Sequence, residues 1–134
     1  QPPLGEFRAT FEALLQADLP EIVINGHQAP RLPNTSNIAF LGLHRQELLL
    51  ALDMAGICCS TGSACASGSS EPSPVLLAMG LPAAVIESSL RFSFGRAHSA
   101  ADVAAAASRI ICVVNDLRRR AIARKSPLPP RHHG

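Results

Sequence analysis

The sequence contains no tryptophan, no tyrosine and a single lysine, Lys125. The core must therefore be built from aliphatic side chains and from the five phenylalanines. No apolar run approaches the roughly 18 residues that a membrane-spanning helix requires, and no basic segment leads into an apolar one as in a secretion signal. The 134 residues have the length of one domain. These features predict a globular, cytoplasmic domain that does not associate with membranes.

Charge is distributed unevenly along the chain. The formal net charge is +2, but residues 118–134 carry five arginines, one lysine and no acid. A basic tail of this kind is able to bind nucleic acid or anionic surfaces. The simpler interpretation is a solvated helix end that runs into a disordered segment. We favour the simpler interpretation and do not expect nucleic acid to be a partner.

The four cysteines are Cys58, Cys59, Cys65 and Cys112. A secreted disulfide framework usually has more cysteines in a shorter chain, so we expect reduced thiols in a cytosolic protein. Cys58 and Cys59 are predicted to lie in a short buried strand and Cys112 in the last helix, all three as small core residues. No cysteine or histidine pair has the spacing of a zinc site, and no metal site is predicted.

Apolar periodicity predicts helices mixed with short strands. The predicted helices cover residues 4–17, 47–54 and 72–79 and a long segment that begins after Ser99, and the predicted strands cover residues 21–25, 36–43, 57–60 and 88–95. The last helix has an apolar stripe formed by Val103, Ala107, Ile110, Val114 and Leu117. Strands and helices joined by short loops predict an α+β fold, in which a small sheet has helices packed on one face.

Cys65 is the first candidate for a chemical role. Residues 61–70 hold two glycines, five serine or threonine residues and no large side chain, so this segment is predicted to be a mobile loop. Cys65 lies in its middle, between Ala64 and Ala66. A nucleophilic thiol needs exposure and room to approach its target, and small neighbours allow both. An incidental surface cysteine is an equally good interpretation of the composition.

Arg91 is the second candidate. It lies between Leu90 and Phe92 in a predicted strand, and the alternation of the strand places its side chain on the opposite face from theirs. The planar guanidinium group can bind a carboxylate through two parallel hydrogen bonds, which makes Arg91 a candidate substrate-binding residue. The alternatives are an exposed arginine on the wet face of the sheet and an arginine paired with Glu87 or Glu47.

Several motifs resemble those of one enzyme family. Residues 60–68 (STGSACASG) closely resemble the active-site loop of NifS/IscS-type cysteine desulfurases. The resemblance continues through residues 71–80 (EPSPVLLAMG) and 90–96 (LRFSFGR), and upstream through residues 31–35 and 48–56.

The resemblance spans roughly residues 4–119, in order and with plausible spacing. It implies the C-terminal small domain of a class-V-aminotransferase-like, fold-type I enzyme that uses pyridoxal phosphate. Such a domain has a small, mostly antiparallel sheet of three to four strands with helices packed on one face. On this basis residues 1–17 are predicted to end an interdomain helix, residues 18–120 to form the small domain, and residues 121–134 to be a basic, proline-rich, disordered tail.

The resemblance also implies a reaction. Enzymes of this kind convert L-cysteine to L-alanine with pyridoxal 5'-phosphate, and an enzyme thiol takes the sulfur as a persulfide. By resemblance Cys65 is that thiol and Arg91 binds the substrate carboxylate. A mobile loop would carry the sulfur to an acceptor or scaffold protein, for example in iron–sulfur cluster assembly. The resemblance implies a homodimer for the complete enzyme.

The cofactor site is where the sequence departs from the family. These enzymes hold pyridoxal phosphate on a lysine of a large N-terminal domain, and nothing around Lys125 resembles that motif. No cofactor-binding residue and no covalently bound cofactor are therefore predicted here. Because electron withdrawal by the cofactor is the difficult part of the chemistry, the chain alone is expected to be inactive. We expect it to be a fragment of a longer enzyme. The alternatives are one piece of a split enzyme and a truncated product with another use.

Two other functions stay open. Cys65 could accept a persulfide from another enzyme, which would make the chain a non-catalytic sulfur carrier or interaction module. Cys59 and Cys65 could instead bind a metal ion or cluster together with a histidine, which is the hypothesis we favour least.

Overall fold

The computed structural model describes residues 4–25, 35–61, 73–95 and 98–125. Within these residues there are three strands and five helices. In chain order they are α1 (Leu4–Asp18), β1 (Ile22–Asn25), β2 (Thr35–Phe40), α2 (Arg45–Met54), α3 (Pro74–Ala78), α4 (Ala83–Glu87), β3 (Ser89–Ser93) and α5 (Ala100–Lys125). None of the helices in the described part of the chain is long and apolar enough to cross a membrane.

The three strands form one antiparallel sheet in the order β1-β2-β3. The register pairs Ile24 with Ile38, and Ile38 in turn with Leu90. Beyond the free edge of β3, Ser60 forms an isolated antiparallel bridge with Arg91. The structure thus confirms an α+β fold built on a small antiparallel sheet with helices packed against it.

One face of the sheet is apolar and sealed, and we call it the core face. It is formed by Ile24, Ile38, Phe40, Leu90 and Phe92, all of them buried. Helix α1 covers this face with Phe11, whose ring centroid lies 5.1 Å from that of Phe92 and 5.0 Å from that of Phe94. Helix α5 packs beside α1, and the five apolar stripe residues predicted for it are all buried, as expected.

The opposite face, which we call the open face, carries Asn25, Asn37, Arg91 and Ser93, because these side chains alternate with those of the core face. Helix α4 covers one end of it. There Ser89 is buried and its hydroxyl donates to the carbonyl oxygen of Val85 at 2.6 Å. At the other end Arg91 and Ser93 are exposed.

Helix α5 begins with a capping box. The Asp102 amide donates to Oγ of Ser99 at 3.1 Å, and the Ser99 amide donates to Oδ2 of Asp102 at 2.8 Å. These bonds satisfy two of the amides that a helix start leaves without a partner. The predicted start of this helix after Ser99 is confirmed.

Several boundaries differ from the predicted ones. Strand β2 ends at Phe40, before the predicted Leu43, because the chain turns through Gly42, whose φ of 88° suits glycine. Helix α2 begins at Arg45, ahead of the predicted Glu47, because Nδ1 of His44 accepts the amide of Gln46 and caps the helix. In α1, Phe7, Phe11 and Leu15 are buried, whereas Leu14 is 36% exposed.

The region between residues 73 and 88 also differs. Helix α3 begins at Pro74, not at residue 72, with Ser73 as its N-cap. A proline at the first helical position loses no hydrogen bond, which explains why the helix can begin at Pro74. Helix α4 was not predicted at all, because its five residues are too few to show a helical period.

The cysteine assignments need correction. All three were predicted as core residues, but Cys58 and Cys112 are exposed and Cys59 is only partly buried. Residues 57–60 do not form the predicted buried strand, since only Ser60 pairs with the sheet, and the side chain of Cys58 is therefore free to face a surface cleft. Cys112 lies on α5 away from the apolar stripe.

At the C-terminus, α5 continues to Lys125. The first five residues of the predicted tail, 121–125, are therefore helical, and residues 126–134 lie outside the described residues.

Candidate functional site

Arg91 lies in the middle of β3, and its main chain is bound on the outer edge of the sheet. The Ser60 amide donates to the Arg91 carbonyl at 3.0 Å, and the Arg91 amide donates to the Ser60 carbonyl at 2.7 Å. Because both polar backbone groups of Arg91 point to Ser60, Arg91 faces Asn37 of β2 as a non-hydrogen-bonded pair. Side chains approach each other most closely in such pairs.

The Arg91 side chain is exposed on the open face. The predicted alternative of a pair with Glu47 is not observed, since the Glu47 carboxylate lies 3.6 Å from Arg124 instead. No ion pair between Arg91 and Glu87 occurs among the residues that the structure describes. The guanidinium group of Arg91 is therefore available to a ligand. An arginine with no role beyond the exposed surface would be equally available, so exposure alone does not separate the two interpretations.

Cys65 lies outside the described residues, within the gap between residues 61 and 73. Both ends of the gap are anchored, because Thr61 and Ser73 are buried. Cys65 follows Ser60 by five residues, and five extended residues span at most about 18 Å. The structure therefore brings the base of the cysteine-bearing segment to Arg91, while a catalytic role for Cys65 stays a prediction.

A hydrogen-bond network on the open face was missed by sequence reasoning. Nδ2 of Asn25 donates both to Oδ1 of Asn37 and to Oγ of Ser89, each at 2.9 Å. Asn25 is 3% exposed, and its Oδ1 has no partner among the described residues. No local signal marked Asn37, because it lies between Ser36 and Ile38 in β2. Only the strand register shows that it faces Arg91.

Cys59, which lies close to Ser60 in the chain, has a thiol that is harder to ionise than an ordinary cysteine. Burial, together with smaller contributions from the charges of Cys58 and Asp53, raises the pKa of Cys59 to about 12. Because the thiolate is the nucleophilic form, this raised pKa makes Cys59 a weaker candidate nucleophile than an exposed thiol. In the described segments no group of three or more His, Cys, Asp or Glu side chains is arranged to hold a metal ion.

A surface cleft of about 460 Å³ opens where β3 meets the start of α5. Its floor includes Phe11 and Phe94, and its rim includes Cys58 and Arg109. Nδ1 of His98, also at the rim, accepts the amide of Gly95 at 2.8 Å. The floor of the cleft is therefore mostly apolar. Of its polar groups, Nδ1 of His98 is already hydrogen-bonded and Cys58 is exposed to solvent.

The residues that the structure describes do not form a site for pyridoxal phosphate. The cofactor of such enzymes needs a lysine beside the substrate arginine, and the single lysine, Lys125, is the last residue of α5. It follows Arg124, which contacts Glu47 of α2 and not β3. The lysine and the phosphate-binding groups would therefore have to come from residues other than those described.

A three-stranded antiparallel sheet, with helices on its core face and an arginine beside the base of a cysteine-bearing segment, defines the class of domain. The match to known families agrees with this description. Residues 6–105 match the model of the aminotransferase class-V family, and the chain belongs to this family.

Curated relatives narrow the comparison to cysteine desulfurases. The chain is 43% identical over 113 residues to a cysteine desulfurase of Trichormus azollae, covering 84% of this chain and 27% of the relative. It is 47% identical over 102 residues to cysteine desulfurase IscS of Clostridium botulinum strain Hall, covering 75% and 26%. It is 41% identical over 123 residues to cysteine desulfurase IscS of Methanosarcina thermophila, covering 92% of this chain and 29% of the relative.

A solved structure shares the fold. The NifS-like protein of Rickettsia africae aligns with a TM-score of 0.68 and 25% identity, over 84% of this chain and 28% of that one. The resemblance to NifS/IscS-type proteins predicted from the loop motif is thus confirmed. The chain spans between a quarter and a third of the length of these relatives.

Proposed function

We propose that this chain is the sulfur-accepting part of a pyridoxal-phosphate-dependent cysteine desulfurase that converts L-cysteine to L-alanine. The observation that carries the proposal is the bridge between Ser60 and Arg91. It joins the base of the segment that contains Cys65 to an exposed arginine suited to a carboxylate. A substrate held by Arg91 would then lie within the reach of the Cys65 thiol.

The proposed reaction balances without an external oxidant. The Cys65 thiolate attacks the sulfur of the substrate, the carbon–sulfur bond breaks, and a persulfide forms on Cys65. The electron pair of the broken bond passes to the β-carbon of the substrate, this carbon takes up a proton, and the resulting alanine is released. Pyridoxal phosphate held by residues outside those described would supply the electron withdrawal. Arg91 contributes by holding the substrate carboxylate through two charge-assisted hydrogen bonds.

The complete enzyme needs a lysine-bearing domain, and the sulfur needs an acceptor protein. We propose that the complete enzyme is a homodimer in the cytoplasm. We also propose that this chain, without the lysine-bearing domain, is inactive toward cysteine. Residues 1–17 then end an interdomain helix, and residues 18–120 form the small domain.

The test measures persulfide and alanine with a lysine-bearing class-V domain supplied to this chain, either fused upstream or as a separate protein. Cys65→Ala should abolish persulfide on the chain while the unfolding transition stays unchanged. Cys58→Ala is the matched control, because Cys58 is an exposed thiol seven residues earlier. Persulfide that persists in Cys65→Ala, or disappears in Cys58→Ala, would contradict the assignment.

Arg91 is tested in the same assembly. Arg91→Ala should raise the KM for cysteine about a hundredfold, since it removes a bidentate, charge-assisted contact worth roughly 3 kcal/mol. Arg91→Lys should recover part of the loss, because a lysine keeps the charge but not the planar fork. Equal KM values for the wild type and Arg91→Ala would refute a substrate role.

A second candidate function is a sulfur carrier, favoured by the absence of a lysine beside Arg91 in the described residues. A carrier would gain a persulfide on Cys65 from an external donor without any cofactor absorbance. Persulfide that forms only when cysteine, cofactor and the lysine-bearing domain are all present would decide for the desulfurase.

A further inference from the structure

The open face offers a second polar group beside Arg91. Asn37 is directly opposite Arg91 on the neighbouring strand. The pair is non-hydrogen-bonded, because both backbone polar groups of Arg91 are bound to Ser60. The first side-chain carbons of such a pair lie about 4.5–5.5 Å apart and on the same face of the sheet. A carboxylate held by the Arg91 guanidinium is therefore within reach of the Asn37 amide group.

The orientation of the Asn37 amide is fixed by a directional chain of hydrogen bonds. The chain begins at the carbonyl oxygen of Val85, which can only accept, so the Ser89 hydroxyl must donate to it. Oγ of Ser89 then accepts from Nδ2 of Asn25, and the same Nδ2 donates to Oδ1 of Asn37. Because each link determines the next, the oxygen of Asn37 faces Asn25 and its NH2 group is turned away.

The NH2 group of Asn37 has no acceptor among the described residues. Asn25 reaches Ser89 diagonally across β2, over the position of Ala39, whose small side chain leaves room. Asn25 itself is buried, and its Oδ1 has no partner in the described part of the chain. A buried acceptor without a partner lowers stability, so the network is not explained by stability alone. It is explained if the network holds the Asn37 amide in one orientation.

We propose that Asn37 is a substrate-binding residue whose NH2 group donates to the carboxylate that Arg91 holds, and that Asn25 and Ser89 are positioning residues for it. The inference rests on the proposed role of Arg91. It adds a determinant of specificity, because a ligand without a carboxylate gains nothing from Asn37. The substrate class favoured by this pair is an α-amino acid over the corresponding amine.

The test is steady-state kinetics of the complete, cofactor-loaded enzyme that includes these residues. The KM and kcat for L-cysteine are compared with the inhibition constant of cysteamine, which lacks the carboxylate. Asn37→Ala should raise the KM for cysteine about tenfold and change kcat by less than about twofold, as expected for loss of one donor to a charged group. The inhibition constant of cysteamine should stay unchanged.

Two further variants test the charge and the orientation. Asn37→Asp keeps the shape but opposes the substrate with a like charge, so its KM should rise above that of Asn37→Ala. Asn25→Asp removes the donor to Asn37 and should turn its amide around. It should therefore raise the KM for cysteine although Asn25 does not touch the substrate. Ser93→Ala, on the same face two residues from Arg91, is the matched control and should behave as the wild type.

The outcomes separate this inference from the proposed function. If Arg91→Ala raises the KM for cysteine and Asn37→Ala does not, the role of Asn37 is wrong and that of Arg91 stands. If neither variant changes the KM, both are wrong. An equal rise in the KM for cysteine and the inhibition constant of cysteamine would show a merely structural role for Asn37 and overturn the inference.

Discussion

The two faces of the sheet use the same three strands for different purposes. On the core face, Ile38, Phe40 and Leu90 are completely buried beneath α1 and α5. On the open face, Arg91 and Ser93 are exposed and Asn37 is partly buried. Burial of apolar surface is the main source of stability, so stability should reside on the core face. The open face is then free to carry polar groups with a chemical role.

The open face has a covered end and an exposed end. Hydrogen bonds that begin at the covered end fix the orientation of Asn37 near the exposed end. Helix α4 buries Ser89 and, with it, the beginning of the hydrogen-bond chain that leads to Asn37. The polar groups near Arg91 are therefore built on a fixed support and not on a freely rotating surface. Preorganised polar groups bind a ligand at a lower entropic cost.

The largest expected effect of a substitution lies on the core face. Phe92→Ala should lower the free energy of unfolding by about 3–5 kcal/mol, because it leaves a cavity next to the Phe11 ring. The neighbouring Arg91→Ala, on the open face, should change it by less than about 0.5 kcal/mol. Urea unfolding of both variants measures the contrast. Similar losses in the two variants would end the distinction between the faces.

A matched pair of serines should give the next largest contrast. Ser36 is buried on the core side, and its hydroxyl donates to Oε2 of the buried Glu12 at 2.7 Å. Ser36→Ala should cost about 1–3 kcal/mol, because the carboxylate loses a buried donor. Ser93→Ala makes the same chemical change on the open face and should be nearly neutral. Urea unfolding of both variants gives the two free energies of unfolding. A Ser36→Ala variant as stable as the wild type would show that the buried hydrogen bond to Glu12 does not stabilise the fold.

The start of α5 should respond more weakly, since it stands at the edge of the core face. Ser99→Ala removes the hydroxyl that accepts the Asp102 amide. The expected cost is about 1 kcal/mol, as for other N-cap residues. Ser108→Ala, an exposed serine within the same helix, provides the control and should be neutral or slightly stabilising. Thermal unfolding would reveal a wrong assignment if both variants behaved alike.

The capping carboxylate adds a pH-dependent contribution. Hydrogen bonds from the Ser99 backbone and then from its side chain lower the pKa of Asp102 in the folded chain. A lowered folded pKa stabilises the fold fully above the unfolded value of about 3.9 and loses this contribution as the pH falls through the folded value. The stability difference between the wild type and Asp102→Asn should therefore shrink below about pH 4. A difference that stays constant down to pH 2 would contradict the proposed cap.

Local periodicity explains which parts of the fold could be predicted. The stripe of α5 and the alternation in β3 are properties of a single segment, and both agree with the structure. Helix α4 has too few residues to show a period. The two adjacent cysteines follow an apolar residue and resemble a buried strand, but no strand forms there and Cys58 is exposed.

The candidate site was predictable only in part. Arg91 could be selected as a candidate because an arginine between apolar strand residues calls for an explanation, and its exposure on the open face agrees with the predicted alternation of the strand. Its role in substrate binding stays a prediction. Asn25 and Asn37 could not be identified, because they are 12 residues apart in the chain and belong to two strands whose register no local pattern specifies. Cys65 rests on its sequence motif, and its role stays a prediction.

The sequence by itself determined the family, the apolar stripe of α5, the alternation of β3, and the presence of a cysteine among small residues. The tertiary structure alone decided that Ser60 bridges Arg91, that Asn37 faces Arg91, and that α4 buries the support behind them. Apolar alternation and helical stripes arise from neighbours in the chain and are visible in any segment. Strand register and edge pairing depend on where distant segments meet, and a shift by one residue would place every side chain on the other face.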